Sequence, residues 1–229
     1  MKLLLSDKRV DINKANKNDA TPLNKACENG YIEIVKLLLK DVRVDVNQAT
    51  NAGLSPFWIA CENGPFEIVN MLLNDQRVEI NNVNNRGWTP FYNACDWGHI
   101  EIVKLLLNNN RVDINKANED GSTPLHHACD RGNFIIVQRI LAMGKEVNLT
   151  IQNNEGKTPI HIAKQKKNEK EKFQERKRNY IRIIDLLESF ENNPNEARIK
   201  LRIQLASNFF FFQILMLILI LNDFYSISR

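Results

Sequence analysis

The sequence is poor in the residues that define several protein classes. Its 229 residues include only 9 glycines, 7 prolines and 4 cysteines. So few glycines and prolines exclude a collagen-like or low-complexity chain. Four cysteines are too few for a secreted protein of this length whose fold depends on disulfide bonds. Because 43% of the residues are apolar and 25% are charged, the composition indicates a globular chain with a sizeable core.

Motifs of common enzymes and signals of secretion are also missing. The sequence contains no HExxH, Walker, GxSxG or GxGxxG pattern, so the usual arrangements for zinc, phosphate, nucleophile and dinucleotide chemistry are not found. The apolar run Leu3–Leu5 is followed directly by Ser6 and Asp7, which makes it too short for a secretory signal. We therefore expect a non-catalytic protein that needs no cofactor, metal or small-molecule substrate.

Neither sign of charge dominates the first two thirds of the chain. Residues 1–150 hold 17 Lys and Arg against 18 Asp and Glu, whereas residues 151–229 hold 14 against 9. The net charge of +4 therefore arises from the C-terminal part. This distribution argues against nucleic acid as the main partner.

What the sequence does contain is a repeat with a period of 34 residues, the signature of a stacked array. A Thr-Pro or Ser-Pro pair opens each unit, and an alanine, a glycine, an Ile-Val pair and a stretch similar to Val-Asp-Ile-Asn follow at fixed spacing. The opening pairs begin at Thr21, Ser55, Thr89, Thr123 and Thr158.

The residues of one unit predict two helices and a turn. A Thr hydroxyl can accept a hydrogen bond from a backbone N–H at a helix start, and proline fits the first helical position. Gly30 can adopt the positive φ that ends the first helix, and Ile34, Leu37 and Leu38 share one face of the second. The Val-Asp-Val-Asn stretch and the Asn/Gly-rich residues after it predict an extended segment and a tight turn. One such hairpin cannot bury both of its faces, so the units must stack into a solenoid.

This pattern resembles the ankyrin repeat. The matching residues are Thr-Pro-Leu-x-x-Ala-Cys-x-x-Gly at 21–30, Ile-Glu-Ile-Val-Lys-Leu-Leu-Leu at 32–39 and 100–107, and Val-Asp-Ile-Asn at 112–115. The resemblance covers residues 1–163 and extends toward 190. Two features depart from it, since the period is 34 rather than the usual 33 and Asp19 stands where the next unit has Gly53. The resemblance implies a mainly α solenoid of stacked helix-turn-helix units, joined by β-hairpin-like loops, that binds a partner protein on its concave face.

The repeat register divides the chain into units. Residues 1–15 match the second half of a unit, which is either a piece of a longer array or a cap. A degenerate last unit with a basic insertion at 164–178 is expected to cap the array, because a terminal unit needs a polar outer face. The complete units span 16–49, 50–83, 84–117 and 118–152, the capping unit 153–190, a linker 191–204 and an apolar tail segment 205–221.

The repeat also accounts for two groups of reactive side chains. The cysteines recur every 34 residues, on helices expected about 8 to 10 Å apart, which is too far for disulfides or a shared zinc. We interpret them as buried core residues. The cluster of His126, His127, Cys129 and Asp130 occupies positions that recur in other units, which argues against catalysis. The four cysteines are Cys27, Cys61, Cys95 and Cys129.

Arginines recur with the same period, each two residues before an acidic residue. We interpret them as a ladder of exposed ion pairs along one edge, each worth about 0 to 1 kcal/mol. The pairs are Arg9 with Asp11, Arg43 with Asp45, Arg77 with Glu79, and Arg111 with Asp113.

Positions at which the units differ are the candidates for partner recognition. In ankyrin-like folds, partners are usually held by the hairpin tips and the exposed ends of the first helices. Trp88 and Trp97 place two large aromatic side chains in one unit, and an acidic residue ends each first helix. Since Trp and Arg often anchor interfaces, we hypothesise a partner with basic and apolar groups. Alternatively, Trp97 covers the neighbouring helix and the acidic residues are solvated. The predicted binding residues are Glu28, Asn29, Leu54, Glu62, Asn63, Arg86, Trp88, Asp96, Trp97, Asp120, Asp130 and Arg131.

The insertion at 164–178 holds eight basic and three acidic residues. Lys166-Lys167 and Arg176-Lys177-Arg178 loosely resemble a two-part nuclear localisation signal, but short basic runs often match such patterns by chance. We expect a solvated, partly helical loop, with nucleic acid or anionic lipid contact as alternatives.

The tail segment 205–221 is predicted to form a C-terminal apolar helix. Its length lies at the lower edge of the roughly 17 to 25 residues that span a bilayer. Arg198, Lys200 and Arg202 precede it, which would leave the repeats in the cytosol. Three interpretations stay open: a membrane tail anchor, a helix packed on the last repeat, and a tail produced by an imperfect gene model.

The sequence thus predicts a cytoplasmic adaptor or scaffold that binds another protein. Whether residues 205–221 attach it to a membrane stays open. Two alternatives remain: an ankyrin fragment of a larger enzyme or channel, and a nucleic-acid binder that uses the basic insertion.

Overall fold

The computed structural model describes residues 7, 9–143, 147–169 and 174–207, and these residues form eleven helices and no β-strand. The first and second helices of the repeat units alternate along the chain from α1 to α10, and α11 follows them. They are α1 Pro22–Glu28, α2 Ile32–Leu39, α3 Pro56–Asn63, α4 Phe66–Asn74, α5 Pro90–Asp96, α6 Ile100–Leu107, α7 Pro124–Asp130, α8 Phe134–Ala142, α9 Pro159–Asn168, α10 Gln174–Asn192 and α11 at 194–207.

The first helices begin as the sequence predicts. The Thr89 side chain accepts a hydrogen bond from the backbone N–H of Tyr92, and Pro90 occupies the first helical position. Ser55 caps α3 in the same way through the N–H of Trp58. The glycine after each of α1, α3, α5 and α7 has a φ between 67° and 81°, the left-handed conformation that ends a helix.

The helices form two layers, one of first helices and one of second helices. Each first helix packs on the next first helix and on the second helix of its own unit, so one continuous apolar core runs through the array. Phe57 and Phe91 are among its largest fully buried side chains. All four cysteines are free and buried in this core, which confirms their predicted role.

The loops between units contain the predicted tight turns but, where the structure describes them, lack the strands of the predicted β-hairpin-like form. In the described residues they are turns, closed by single bonds such as Asn84 N–H to the Trp88 carbonyl at 3.1 Å. The Asn84 side chain accepts from the N–H groups of Arg86 and Trp88, both at 3.0 Å. Because this asparagine binds N–H groups within the turn itself, no strand ladder develops.

Asparagines join successive units on the loop side of the array. The Asn47 amide donates to the Arg77 carbonyl at 2.8 Å, and its oxygen accepts from the N–H of Glu79 at 2.9 Å. Asn13 and Asn81 make the same pair of bonds one unit before and one unit after. We call Asn13, Asn47 and Asn81 the asparagine ladder.

The arginine ladder is present, but its predicted acidic partners were wrong. Arg77 pairs with Asp75, two residues before it, at 2.6 Å, and donates to the Leu39 carbonyl at the end of α2 at 2.8 Å. The side chains of Asp45 and of Asp113 instead accept from N–H groups of their own turns. Arg9 pairs with Asp7 and Arg43 with Asp41, and the hydrogen bonds from Arg43 lower the pKa of Asp41 to about 2.

Arg111 departs from the other ladder arginines, because Asn109 stands where they have an aspartate. Its guanidinium donates to the carbonyls of Leu73 and Val78 in the preceding unit. The arginines therefore hold neighbouring units together through backbone carbonyls as well as ion pairs.

The segment 191–204 is not the linker that we predicted. It contains the end of α10 and most of α11, in which Ala197 and Leu201 are buried. The Arg202 side chain donates to the Ala142 carbonyl at the end of α8 at 2.7 Å. The apolar spacing of Ala197, Leu201 and the partly buried Leu205 gives α11 a face that packs on the array.

The predicted partly helical loop at 164–178 is helical at 164–168, the last part of α9, and at 174–178, the first part of α10. Of the tail segment 205–221, residues 205–207 belong to α11 and the rest lies outside the described residues. No helix in the described ranges is long and apolar enough to cross a membrane.

Candidate partner-binding surfaces

The two tryptophans singled out in the sequence lie at opposite ends of α5. Trp88 precedes this helix in the tip loop, and Trp97 is its C-terminal cap. Seven helical residues separate them by about 10 Å along the axis. The two tryptophans therefore lie on two different surfaces, which we describe in turn.

The first surface, the concave groove, has a volume of about 420 Å³. It runs between the tips and first helices of the units that carry α5, α7 and α9. The side chains that define its chemistry are Trp88, Tyr92, Asp120, His127, Asp130 and Lys157.

A stack of flat side chains forms one wall of the concave groove. The Trp88 and Tyr92 rings lie 4.9 Å apart between centroids with an angle of 27° between their planes, and the Tyr92 and His127 rings lie 4.7 Å apart. The Arg86 guanidinium is 5.9 Å from the Trp88 ring. The sequence prediction missed Tyr92 and His127. The spacing of Trp88 and Tyr92 by four residues was the signal that could have found the first of them.

A chain of hydrogen bonds leads from this stack to the end of α5. The Tyr92 hydroxyl lies 2.7 Å from His127 Nδ1, and His127 Nε2 lies 2.5 Å from Asp96 Oδ1. A neutral imidazole satisfies both contacts if Tyr92 donates to Nδ1 and Nε2–H donates to Asp96. Burial, and next the Asp96 charge, raise the pKa of the Tyr92 hydroxyl, which keeps it protonated. Arg131 Nε also donates to Asp96 at 3.2 Å.

The predicted row of acidic residues is largely neutralised by neighbouring basic groups. Glu28 pairs with Lys25, Asp96 has the two partners just described, and Asp130 lies 3.5 Å from Lys166 Nζ. Partial burial and the nearby Glu28 raise the pKa of Glu62. The structure therefore offers fewer unpaired carboxylates than the sequence pattern suggested.

The remaining predicted residues lie near the start of the array. Glu28, Leu54, Glu62 and Asn63 line a smaller groove between the units of α1 and α3. The Asn29 side chain donates to the Lys25 carbonyl at 2.8 Å. Asn29 therefore closes the end of α1.

The second surface, the helix-end pocket, has a volume of about 640 Å³. It lies at the far end of α5 and α7, against the first turns of α10. Asp96, Trp97 and Arg131 of the predicted residues line it, together with Phe134, Ile135, Glu175, Asn179 and Arg182. The last three belong to the segment that we expected to be a loop or part of the second helix, so this pocket was not predicted.

The histidine and cysteine cluster of α7 has structural roles. His126 is 1% exposed, its Nδ1 accepts from the N–H of Thr123 at 3.1 Å, and its Nε2 lies 3.0 Å from the Lys157 carbonyl. Burial lowers the pKa of this imidazole. Burial also raises the pKa of the Cys129 thiol, which disfavours the reactive thiolate. Among the described residues, no group of three or more His, Cys, Asp or Glu is placed to hold a metal.

Comparisons with known proteins agree with the geometry. The family described as "Ankyrin repeats (3 copies)" matches residues 1–82, 42–118, 76–151 and 110–172. The crystal structure of EF0377, an ankyrin repeat protein, superposes with a TM-score of 0.69 and 29% sequence identity over 81% of this chain and 88% of that one. No curated protein matches the chain. The matched ranges join without a gap from residue 1 to residue 172, and the chain belongs to the ankyrin repeat family.

Proposed function

We propose that the chain is an adaptor or scaffold that binds a partner protein along the concave groove. The observation that carries the proposal is the stack of Trp88, Tyr92 and His127, which presents a flat apolar wall beside the groove. Ankyrin repeats are generally protein–protein interaction modules, and aromatic side chains are the usual anchors of such interfaces.

The groove suits a partner side chain with an apolar stem and a cationic end. The partly exposed Trp88 ring can pack against the stem and attract a cation by its π face. Tyr92 is only 3% exposed and supports the Trp88 ring by stacking on it. Asp120 and Glu155 lie in the same groove and can accept hydrogen bonds from an arginine or lysine. Lys157 pairs with Glu155 at 2.6 Å, so an incoming cation would compete for that carboxylate.

The repeat register supplies matched variants for the test. Leu54 and Asn24 occupy the positions of Trp88 and Tyr92 in earlier units, so Trp88→Leu and Tyr92→Asn are compatible with the fold of a unit. Val42, which is 89% exposed, allows Val42→Thr as a surface control away from the groove.

The experiment identifies proteins crosslinked to the full chain in cells and then measures the affinity of each purified partner. We expect Trp88→Leu with Tyr92→Asn to weaken binding about tenfold or more, since an aromatic anchor is worth about 2 kcal/mol. Val42→Thr should bind as the wild type does. A partner that the double variant still binds with full affinity would place recognition elsewhere.

We also propose a cytoplasmic location, because unpaired thiols suit a reducing compartment and all four cysteines are free. Membrane attachment through 205–221 stays a prediction. Alkaline carbonate extraction of the full chain and of a chain stopped after Ser207 tests the membrane attachment, since the shorter chain keeps α11. An anchor would retain only the full chain in the membrane pellet.

A further inference from the structure

We propose that the helix-end pocket is a second docking site, which takes an acidic protein segment that carries one apolar side chain. This site is separate from the concave groove and lies at the other end of α5. The argument rests on the construction of the pocket, its apolar surface and its charge.

The last unit builds one wall of the pocket. Ile181 holds the repeat position of Ile100, the first residue of α6, yet α10 is already helical at Gln174. These additional residues form about two helical turns that rise beside the end of α7. The Tyr180 hydroxyl donates to the Asp130 carbonyl at 2.7 Å. A Cβ at Gly132 would lie 3.1 Å from the Tyr180 ring, so the glycine permits this close approach.

Two exposed apolar side chains replace polar residues at this place. Trp97 is 61% exposed, and the same position holds Asn29 and Asn63 in earlier units. Ile135 is 47% exposed, and its counterparts in the earlier units are glutamates: Glu33, Glu67 and Glu101. Since the fold tolerates polar residues at both positions, the array does not require Trp97 and Ile135. Neighbouring exposed apolar side chains of this kind are a feature of interaction sites.

Basic side chains surround this apolar surface. Arg131 keeps 60% of its side chain exposed although it bonds to Asp96, and the Arg182 guanidinium lies 3.7 Å from the Phe134 ring centroid. Exposed Arg178 shares a helix face with Arg182, four residues away. Arginines can bind carboxylates through two parallel hydrogen bonds. The charge of the rim therefore selects an acidic occupant.

A protein segment fits the pocket better than a nucleic acid. The carboxylates of Glu175 and Asp96 also line the pocket. A peptide can place its few carboxylates away from these two groups, whereas a nucleic acid carries a charge on every phosphate of its backbone. An acidic peptide can direct its carboxylates to Arg131, Arg178 and Arg182 and place its apolar side chain between Trp97 and Ile135.

The test begins with selection of random dodecapeptides displayed on phage. The full chain is the target, and a Trp97→Asn, Ile135→Gln variant serves for parallel counter-selection. We expect the peptides specific to the wild type to carry at least two Asp or Glu around one aromatic or aliphatic residue. Specific peptides without acidic residues, or no difference between the two targets, would overturn the proposal.

Titration of a selected peptide into purified full-length variants then separates this site from the concave groove. The double variant should raise the Kd at least about tenfold, Arg182→Gln should raise it several-fold, and Trp88→Leu should leave it unchanged. Loss of peptide binding with Trp88→Leu would assign the peptide to the concave groove and refute a second site. Poly(U) RNA is the competitor: if it binds the wild type and the double variant abolishes this binding, the site is a nucleic-acid site and the proposal fails.

Discussion

The two edges of the array use the repeat in opposite ways. On the loop edge the same residues return in every unit, as Asn13, Asn47 and Asn81 do, and their side chains bind backbone groups of the next unit. On the surface formed by the tip loops and first helices, the residue changes from unit to unit, as at Trp88 and its counterpart Leu54. Repetition therefore marks the contacts that stack the units, and variation marks the surfaces at which we propose that partners bind.

At one repeat position the residue type varies between units, although the side chain still contacts the next unit. The side chains of Asn24, Trp58 and His126 differ in chemistry, yet each contacts a carbonyl in the tip loop of the next unit, at 3.4, 3.0 and 3.0 Å. Tyr92 holds the same position but its hydroxyl contacts His127 instead. The departure from the shared bond occurs where the concave groove is richest in aromatic side chains.

The largest expected effect breaks the common core. Phe91 is 1% exposed, and Phe91→Ala should lower the free energy of unfolding by about 3 to 5 kcal/mol through lost apolar contacts and a cavity. Urea denaturation of the full chain measures it. Phe91→Leu is the matched control, since Leu23 and Leu125 hold this position in other units, and it should cost clearly less. Equal losses would mean that the site does not depend on side-chain volume.

The next effect breaks the asparagine ladder. Asn81 donates to the Arg111 carbonyl at 2.7 Å and accepts from the N–H of Asp113 at 2.9 Å. Asn81→Ala should therefore cost about 2 kcal/mol, roughly 1 for each bond. The side chain of the neighbouring Asn82 donates to the Glu79 side chain of its own turn. Asn82→Ala should change the urea midpoint much less, and a cost equal to that of Asn81→Ala would refute the role of the ladder.

A smaller effect appears as the pH is lowered. Burial lowers the pKa of His126 in the folded chain, whereas an exposed imidazole has a pKa of about 6.5. Below that pH the unfolded chain binds a proton that folded His126 resists, so stability falls as the pH drops from 7 toward the folded pKa.

His126→Asn tests this source of the pH dependence. Asn24 caps Thr21 in the same geometry, so the variant keeps the helix cap without a titrating group. Thermal melts of both proteins from pH 7 to pH 5 should show a smaller loss for the variant. Parallel curves would assign the pH dependence to other residues.

Much of the fold could be predicted because the period identifies equivalent positions. The caps at Ser55 and Thr89, the positive φ of Gly64 and the buried cysteines all follow from local chemistry that recurs in every unit. The period could not decide which acidic residue Arg77 contacts. Asp75 and Glu79 are equally near in sequence, and only the path of the loop brings Asp75 to the guanidinium.

The candidate surfaces were harder to predict than the fold. Trp88 and Trp97 were both predicted from the sequence, but as parts of one surface. The length of α5, which places them at opposite ends of the helix, was not taken into account. The helix-end pocket depends on early residues of α10 and on their contact with Gly132, a contact between residues more than 40 positions apart. A non-repeated contact of this kind has no counterpart in the other units from which it could be inferred.

The smallest expected effect sharpens the comparison at Trp97. If variable positions serve partners rather than the stack, Trp97→Asn should change the free energy of unfolding by less than about 0.5 kcal/mol, because its side chain is 61% exposed. Trp88→Leu should cost more, about 0.5 to 1.5 kcal/mol, since it removes the stacking on Tyr92. Urea denaturation of the two variants beside the wild type measures both. A cost above about 1 kcal/mol for Trp97→Asn would mean that Trp97 covers the neighbouring helix, and variation between units would then no longer distinguish a binding surface from a stacking contact at the end of α5.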